Sequence, residues 1–394
     1  MARDKLWWRR PLLLGDEEDR QTTWLELFID LMFVAIISAL AQTLSADITL
    51  AGAARFTLVF LPAWWIWAGL TVYNDRFEAD DVSHRLAFFL IMLALGGLAV
   101  GARYFFTTGF VVYGVSYVLA RITIIGLWVR AGYHNPRLRA LSTRYAVGFG
   151  LAAGLWLVAV AVDWPARVWI VLLALSIDFG TPITAFGVQA DLPRLSASHL
   201  PERFGLFVII VLGEAVIGVE TAVGADFTRG TLAHVALGPA VLALAFVLWW
   251  LYFDHVAENP PLAGSWSTLA WFYPHLAFLA ALGMLGAAAR ALVGPGVAAQ
   301  DPAALALICT SAGASFAMIG VLEFATEPGA ERHHPIRSLG VHGGSGVAAI
   351  ALGLVGGRLG GLNVLLLLVA LGVAQIAYGF ATRARHLQWD ARTR

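Results

Sequence analysis

Twelve stretches of this chain are apolar for long enough to cross a bilayer as helices, and this property narrows the possible folds more than any motif does. They run over residues 24–43, 53–73, 84–102, 106–129, 145–162, 166–188, 203–221, 232–253, 270–291, 303–325, 338–356 and 361–381. A hydrocarbon core about 30 Å thick needs roughly 20 apolar residues per helical crossing. No water is available there to backbone N–H and C=O groups, so the segments must be helices. The alternative, a closed barrel, needs segments of about ten residues with alternating polarity, and none are seen. Composition agrees. Hydrophobic residues make up 59% of the 394 and charged residues only 13%, where a soluble domain carries about 25%. The expected fold is an all-α polytopic bundle.

Charge placement orients the bundle. With the N-terminus on the cytoplasmic side, the loops and termini of that side hold 19 lysines and arginines and the opposite loops hold 6. This satisfies the positive-inside rule with an even number of spans and both termini cytoplasmic. The charged stretch 1–23 precedes an apolar segment without a small-residue cleavage site, so the first span is expected to stay as an anchor. Formal net charge is zero, so nothing points to nucleic acid, and the single cysteine, Cys309, excludes an intrachain disulfide. Recurring features suggest a parallel repeat of six helices plus six. Trp64-Trp65 and Asp75 match Trp249-Trp250 and Asp254, His84 and Arg103 match His275 and Arg290, Arg144 matches Arg337, and Asp30 matches Glu214, at offsets of 179 to 193 residues. The implied organisation is a cytoplasmic segment 1–23, a first repeat 24–190, a second repeat 191–382 and a cytoplasmic tail 383–394.

Charged residues inside the spans are the candidate functional groups, because each costs about 2.5–3.5 kcal/mol at a helix centre unless something compensates. Glu214 lies in Phe207-Val-Ile-Ile-Val-Leu-Gly-Glu214 beside Gly213, and it reads equally as an ion or proton site and as half of an interhelical ion pair. Asp30 lies too deep in the first span to cap it. Glu26, one turn earlier, completes a capping box with Thr23. Arg121 and Asp178 fall mid-span, and Arg121 requires a carboxylate from among Asp178, Glu214 and Asp30, since an unpaired buried charge is strongly destabilising. Glu323, His275 and His342 stand at similar depth and could relay protons, although polar residues at a headgroup boundary explain them as well. Glu331, His333 and His334 lie in a loop that offers little of the fixed ligand geometry and supporting shell a metal needs. Gly150/Gly154 and Gly353/Gly357 have the spacing of close helix packing. Neither Gly-x-Ser-x-Gly nor His-Glu-x-x-His nor a paired-cysteine site is present, so no enzymatic activity, metal or cofactor is expected.

Three runs carry a family resemblance. Trp24-Leu-Glu-Leu-Phe-Ile-Asp-Leu-Met-Phe-Val-Ala-Ile36 resembles the opening of the bacterial low temperature requirement A family, with Ile29 where that family usually has phenylalanine. His199-Leu-Pro-Glu202-Arg203 through Glu214, and Leu248-Trp-Trp-Leu-Tyr-Phe-Asp254, resemble two further hallmarks in the same order. The resemblance implies a polytopic bacterial membrane protein and marks Glu26, Asp30, His199, Glu202, Arg203, Glu214 and Asp254 as motif positions. The family is named for a cold-growth phenotype, and its biochemical activity is not established.

Three functions compete at this level. A transporter or channel would move a cation or proton past Asp30, Glu214, Asp178 and Arg121, with residence in the bacterial cytoplasmic membrane. A lipid-handling protein would suit a cold-growth phenotype. An assembly protein would use the buried charges only to lock helices. The partners expected are the lipid bilayer, a small cation or proton, and, for an oligomer, further copies of the chain.

Overall fold

The computed structural model describes residues 7, 9–14, 22–79, 81–189, 192–227, 236–262, 264–293, 301–327 and 335–393, without the side chains of 221–227, 265, 335 and 383–393. The loop residues Glu331, His333 and His334 lie outside the described residues. Twelve long helices follow the apolar segments: α1 (Trp24–Ser45), α2 (Leu50–Arg76), α3 (Val82–Ala102), α4 (Phe110–His134), α5 (Arg139–Ala161), α6 (Ala166–Thr184), α7 (His199–Phe227), α8 (Leu237–Tyr252), α9 (Pro274–Val293), α10 (Pro302–Phe324), α11 (Pro335–Leu359) and α12 (Gly361–Thr393). A two-residue antiparallel pair, β1 (Leu12–Leu13) with β2 (Phe77–Glu78), is the only sheet among the described residues. Eleven of the long helices are apolar and long enough to cross a membrane. The twelfth, α7, covers the expected span 203–221 but carries Arg203, Glu214 and Glu220 within it.

Local chemistry sets the ends. The reciprocal bonds Thr23 N–H to Glu26 Oε2 (2.8 Å) and Glu26 N–H to Thr23 Oγ1 (3.3 Å) complete the predicted capping box of α1. Asp81 caps α3 by accepting from the His84 amide at 2.9 Å. Asp301 caps α10, with Pro302 at the first helical position. Gly360, at φ +80°, closes α11 in a backbone conformation that side chains with a Cβ rarely adopt.

The chain divides into two compact units, one comprising residues 1–40 and 58–203, the other 41–57 and 204–394. In the first, α3 packs on α4, α4 on α5 and α5 on α6; in the second, α9 packs on α10, α10 on α11 and α8 on α12. The surface is apolar and part of the interior is charged. Leu86, Phe89, Leu93 and Val100 of α3 are each more than half exposed, whereas Asp30, Arg121, Asp178, Arg203 and Glu214 are buried. This distribution suits lipid outside and paired charges inside, and the protein is a polytopic helical membrane protein.

Close packing uses different glycines from some of those expected. Gly150 and Gly154 have nothing within 4 Å of where a Cβ would sit, so their spacing marks an open face of α5. One half-turn earlier, Gly148 meets Thr181 of α6, whose Oγ1 would lie 2.2 Å from an added Cβ. Gly353 behaves as expected, facing Cys309 of α10 at 3.0 Å. The residue four-step alone does not say which side of a helix meets a neighbour.

Candidate functional site: a buried histidine and its carboxylates

Within the first unit, α1 and the opening residues of α7 present matched pairs at four-residue spacing, the interval that puts side chains on one helical face. Glu26 and Asp30 lie on α1, and His199 and Arg203 on the first turns of α7. They meet in two rungs. Arg203 holds Asp30 with two charge-assisted bonds, Nη1–H to Oδ2 at 2.6 Å and Nη2–H to Oδ1 at 2.7 Å. His199 Nε2 lies 3.5 Å from Glu26 Oε1. From α2, Trp67 donates its indole N–H to Asp30 Oδ1 at 3.0 Å, and Asp75 Oδ1 lies 2.9 Å from His199 Nδ1.

The segment leading into α7 aims His199. Arg76 Nη1–H donates to the Pro193 carbonyl at 2.9 Å, and the Ser196 amide donates to Asp75 Oδ2 at 2.9 Å. Ser196 Oγ in turn accepts from the His199 amide at 3.1 Å. Asp75 thus fixes both the backbone before the helix and the ring that the helix carries. Glu26 likewise serves twice, as the capping acid of α1 and as a neighbour of the ring.

A carboxylate can only accept, so the Asp75 contact places a proton on Nδ1. The second nitrogen faces another carboxylate, which favours a second proton. His199 precedes the apolar stretch of α7. Burial opposes its charged form, but the hydrogen bond to Asp75 and the nearby Glu26 carboxylate outweigh burial and raise its pKa above the ordinary histidine value. Against Glu26, Asp30 and Asp75 stand Arg203 and Arg76, which interacts electrostatically with Asp75. With a protonated His199 the six side chains balance, and with a neutral one they carry an excess negative charge. The arrangement can hold a proton, or a small cation in its place.

The other predicted residues form separate sets. Arg121 of α4 pairs with Asp178 of α6 at 3.3 Å, both fully buried. Tyr117 joins them by donating to Asp178 Oδ2 at 2.5 Å and accepting from Arg121 Nη2–H at 3.0 Å. The guanidinium lies 4.7 Å from the Phe149 ring centroid and 5.9 Å from that of Trp65, within cation–π range. In the second unit, Arg290 of α9 donates to Glu214 Oε1 of α7 at 2.6 Å. Their helices approach at Gly286, where a Cβ would stand 3.0 Å from Glu214 Cγ; Gly213, next to Glu214, has open space instead. Each of Asp30, Asp178 and Glu214 therefore ends on a guanidinium.

Glu202 is exposed. Asp254 lies 3.8 Å from the ring of its neighbour His255. His275 donates through Nδ1 to the Trp271 carbonyl at 2.7 Å and accepts from the Tyr252 hydroxyl at 3.1 Å. Glu323 and His342 are partners at 3.4 Å, but the histidine grouped with them is His255. Sequence reasoning passed over Asp75, Trp67 and Arg290 as members of buried pairs. Asp75 lies at a span end, where an acid ordinarily meets water, and only its 124-residue reach to His199 shows otherwise.

Comparison with known proteins places this geometry. The chain matches the family described as bacterial low temperature requirement A protein (LtrA) over residues 21–384. It is also 27% identical over 268 residues to an uncharacterized protein of Rhizobium meliloti (strain 1021), covering 64% of this chain and 62% of that relative, less than two thirds of its length.

Proposed function

The chain belongs to the bacterial low temperature requirement A family, and from that premise we propose that it is a transporter of the bacterial cytoplasmic membrane, both termini cytoplasmic, whose cycle takes up and releases a proton at His199. The observation that carries the reading is one histidine shared between two buried carboxylates, Asp75 and Glu26. His199, Asp75 and Glu26 are buried together at the ends of their helices, and histidine is the side chain that changes charge near neutral pH. Asp30 and Glu214, each held by an arginine, are assigned to the scaffold. No enzymatic reaction and no cofactor belong to this reading.

Purified protein in liposomes carrying a pH-sensitive dye tests it. Wild type should dissipate an imposed pH gradient faster than empty vesicles. His199→Gln, whose amide can still donate to Asp75, should remove that flux while circular dichroism and thermal stability stay near wild type. Asp75→Asn should remove it too, at a cost in stability, because its amide N–H would oppose the donor of His199 or of Ser196. Wild-type flux equal to that of empty vesicles, across pH gradients and several cations, would defeat the proposal. The pairing of every mid-span acid with a guanidinium favours a second reading, in which the charges serve only to assemble the bundle. Under that reading the same variants lose stability and have no flux to lose.

A further inference from the structure

The second unit carries a cluster that the His199 site does not use. Ligand atoms of His255, Glu323 and His342 lie within 4.8 Å of one another. They come from three elements: the π-helical extension of α8 (Phe253–Ala257), the end of α10, and α11. π-helical turns are rare, and they are frequent at functional sites. We propose that these three residues bind a first-row divalent cation of the zinc type, with the fourth position open to water.

His255 Nδ1 lies 2.9 Å from the Leu251 carbonyl and His342 Nδ1 lies 2.5 Å from Gln375 Oε1. Both oxygens can only accept, so each Nδ1 carries a proton and each Nε2 is the nitrogen that faces the cluster; on His342, whose Nε2 stands beside Glu323 Oε2, a bound ion would take the place of a second proton. This is how metal-bound histidines are oriented: a carbonyl or carboxylate on one ring nitrogen fixes the tautomer and the other nitrogen is the ligand. Glu323 is anchored by the Ser338 hydroxyl, which donates at 2.5 Å to Oε2, the same oxygen that faces His342 Nε2.

Size and chemistry agree. Zinc binds nitrogen and carboxylate oxygen at about 2.0–2.2 Å, which sets tetrahedral ligands about 3.3–3.5 Å apart. His342 Nε2 and Glu323 Oε2 already stand at 3.4 Å. The His255 and His342 rings meet edge to face at 5.0 Å between centroids. A Cβ at residue 379 of α12 would lie 3.5 Å from His255 Nε2, in ordinary van der Waals contact, so α12 passes close to that nitrogen. Two imidazoles and one carboxylate with an open fourth position form a recognised zinc donor set, and imidazole nitrogen suits this ion better than magnesium or calcium, which prefer oxygen.

The test uses full-length protein in detergent, stripped with a chelator and titrated with Zn2+ against a chromophoric competitor. Wild type should bind one ion per chain that Glu323→Gln and His342→Gln no longer hold. Gln375→Ala, which leaves all three ligands in place, should weaken binding about 10–100-fold. Cobalt(II) in wild type should show visible absorption of tetrahedral strength, lost in the ligand variants. His333→Gln/His334→Gln should retain the ion. Wild type that binds no ion, cluster variants that bind as tightly as wild type, or an ion lost only with His333 and His334 would each overturn the assignment. If a ligand variant is misfolded by circular dichroism, Gln375→Ala and the cobalt spectrum decide the matter alone.

Discussion

Asp30→Asn separates charge from shape at the best-defined rung of the first unit. The asparagine oxygen can still accept from Trp67 Nε1, whose bond to Asp30 Oδ1 is 3.0 Å. It cannot accept both Arg203 bonds, at 2.6 and 2.7 Å, because its amide is a donor and would oppose a guanidinium N–H. Both side chains are only 1% exposed, so the arginine is left as an uncompensated charge away from water. Breaking such a pair costs about 3–5 kcal/mol, a shift of roughly two to four powers of ten in the folding equilibrium. Arg203→Met alone should cost a similar amount by stranding the carboxylate. The double replacement Asp30→Leu/Arg203→Met removes both charges and should recover most of the loss, since apolar substitutes for a buried pair are often neutral or stabilising. The assay is reversible unfolding in mixed micelles followed by circular dichroism, arranged as a double-mutant cycle. Single variants each costing under about 1 kcal/mol, or costs that simply add in the double variant, would refute the idea of a desolvated, mutually dependent pair. Flux measured on a stable double variant would then report on His199 without the neighbouring lock.

Two further outcomes follow from the first unit. Burial alone would raise the Asp81 pKa, but donors from Ser83, Arg130 and the His84 and Arg9 amides bring it down to about 2; its stabilisation, about 2–3 kcal/mol, is complete above the unfolded value near 4 and is lost as pH falls from there through 2, a pH-dependence that Asp81→Asn should remove from acid-unfolding curves. Gly148→Ala should destabilise by about 1–3 kcal/mol because Thr181 occupies the space, whereas Gly150→Ala on the open face should stay within about 0.5 kcal/mol, both read by thermal denaturation in detergent.

The spans were legible in the sequence because hydrocarbon thickness acts on each segment separately. Asp30, Arg121, Asp178 and Glu214 stood out for the same reason: each interrupts an apolar run, and all four are buried. Partners were legible only as a short set: Arg121 required an acid from among Asp178, Glu214 and Asp30, and the packing of α4 on its neighbours selects Asp178. Arg203 reaches Asp30 across 173 residues, and no periodicity records such a distance. Glu26 illustrates a milder loss. Its capping role was readable from Thr23 three residues earlier, while its place beside His199 depends on how α1 and α7 pack. His275 was grouped with Glu323 and His342 by depth along the spans, whereas the residue that meets them is His255, carried on the π-turn that ends α8.

The Tyr117–Arg121–Asp178 set bears on biogenesis. α4 brings an arginine to mid-span, and the acid that answers it is made 61 residues after Tyr117. Until α6 emerges, α4 must keep that cation at the channel's aqueous side or against headgroups, at a penalty of about 2.5–3.5 kcal/mol for full lateral release. The expected consequence is cooperative insertion of the fourth and sixth crossings: a nascent chain truncated between them should leave the fourth crossing extractable by alkali, and Arg121→Leu should make it resistant.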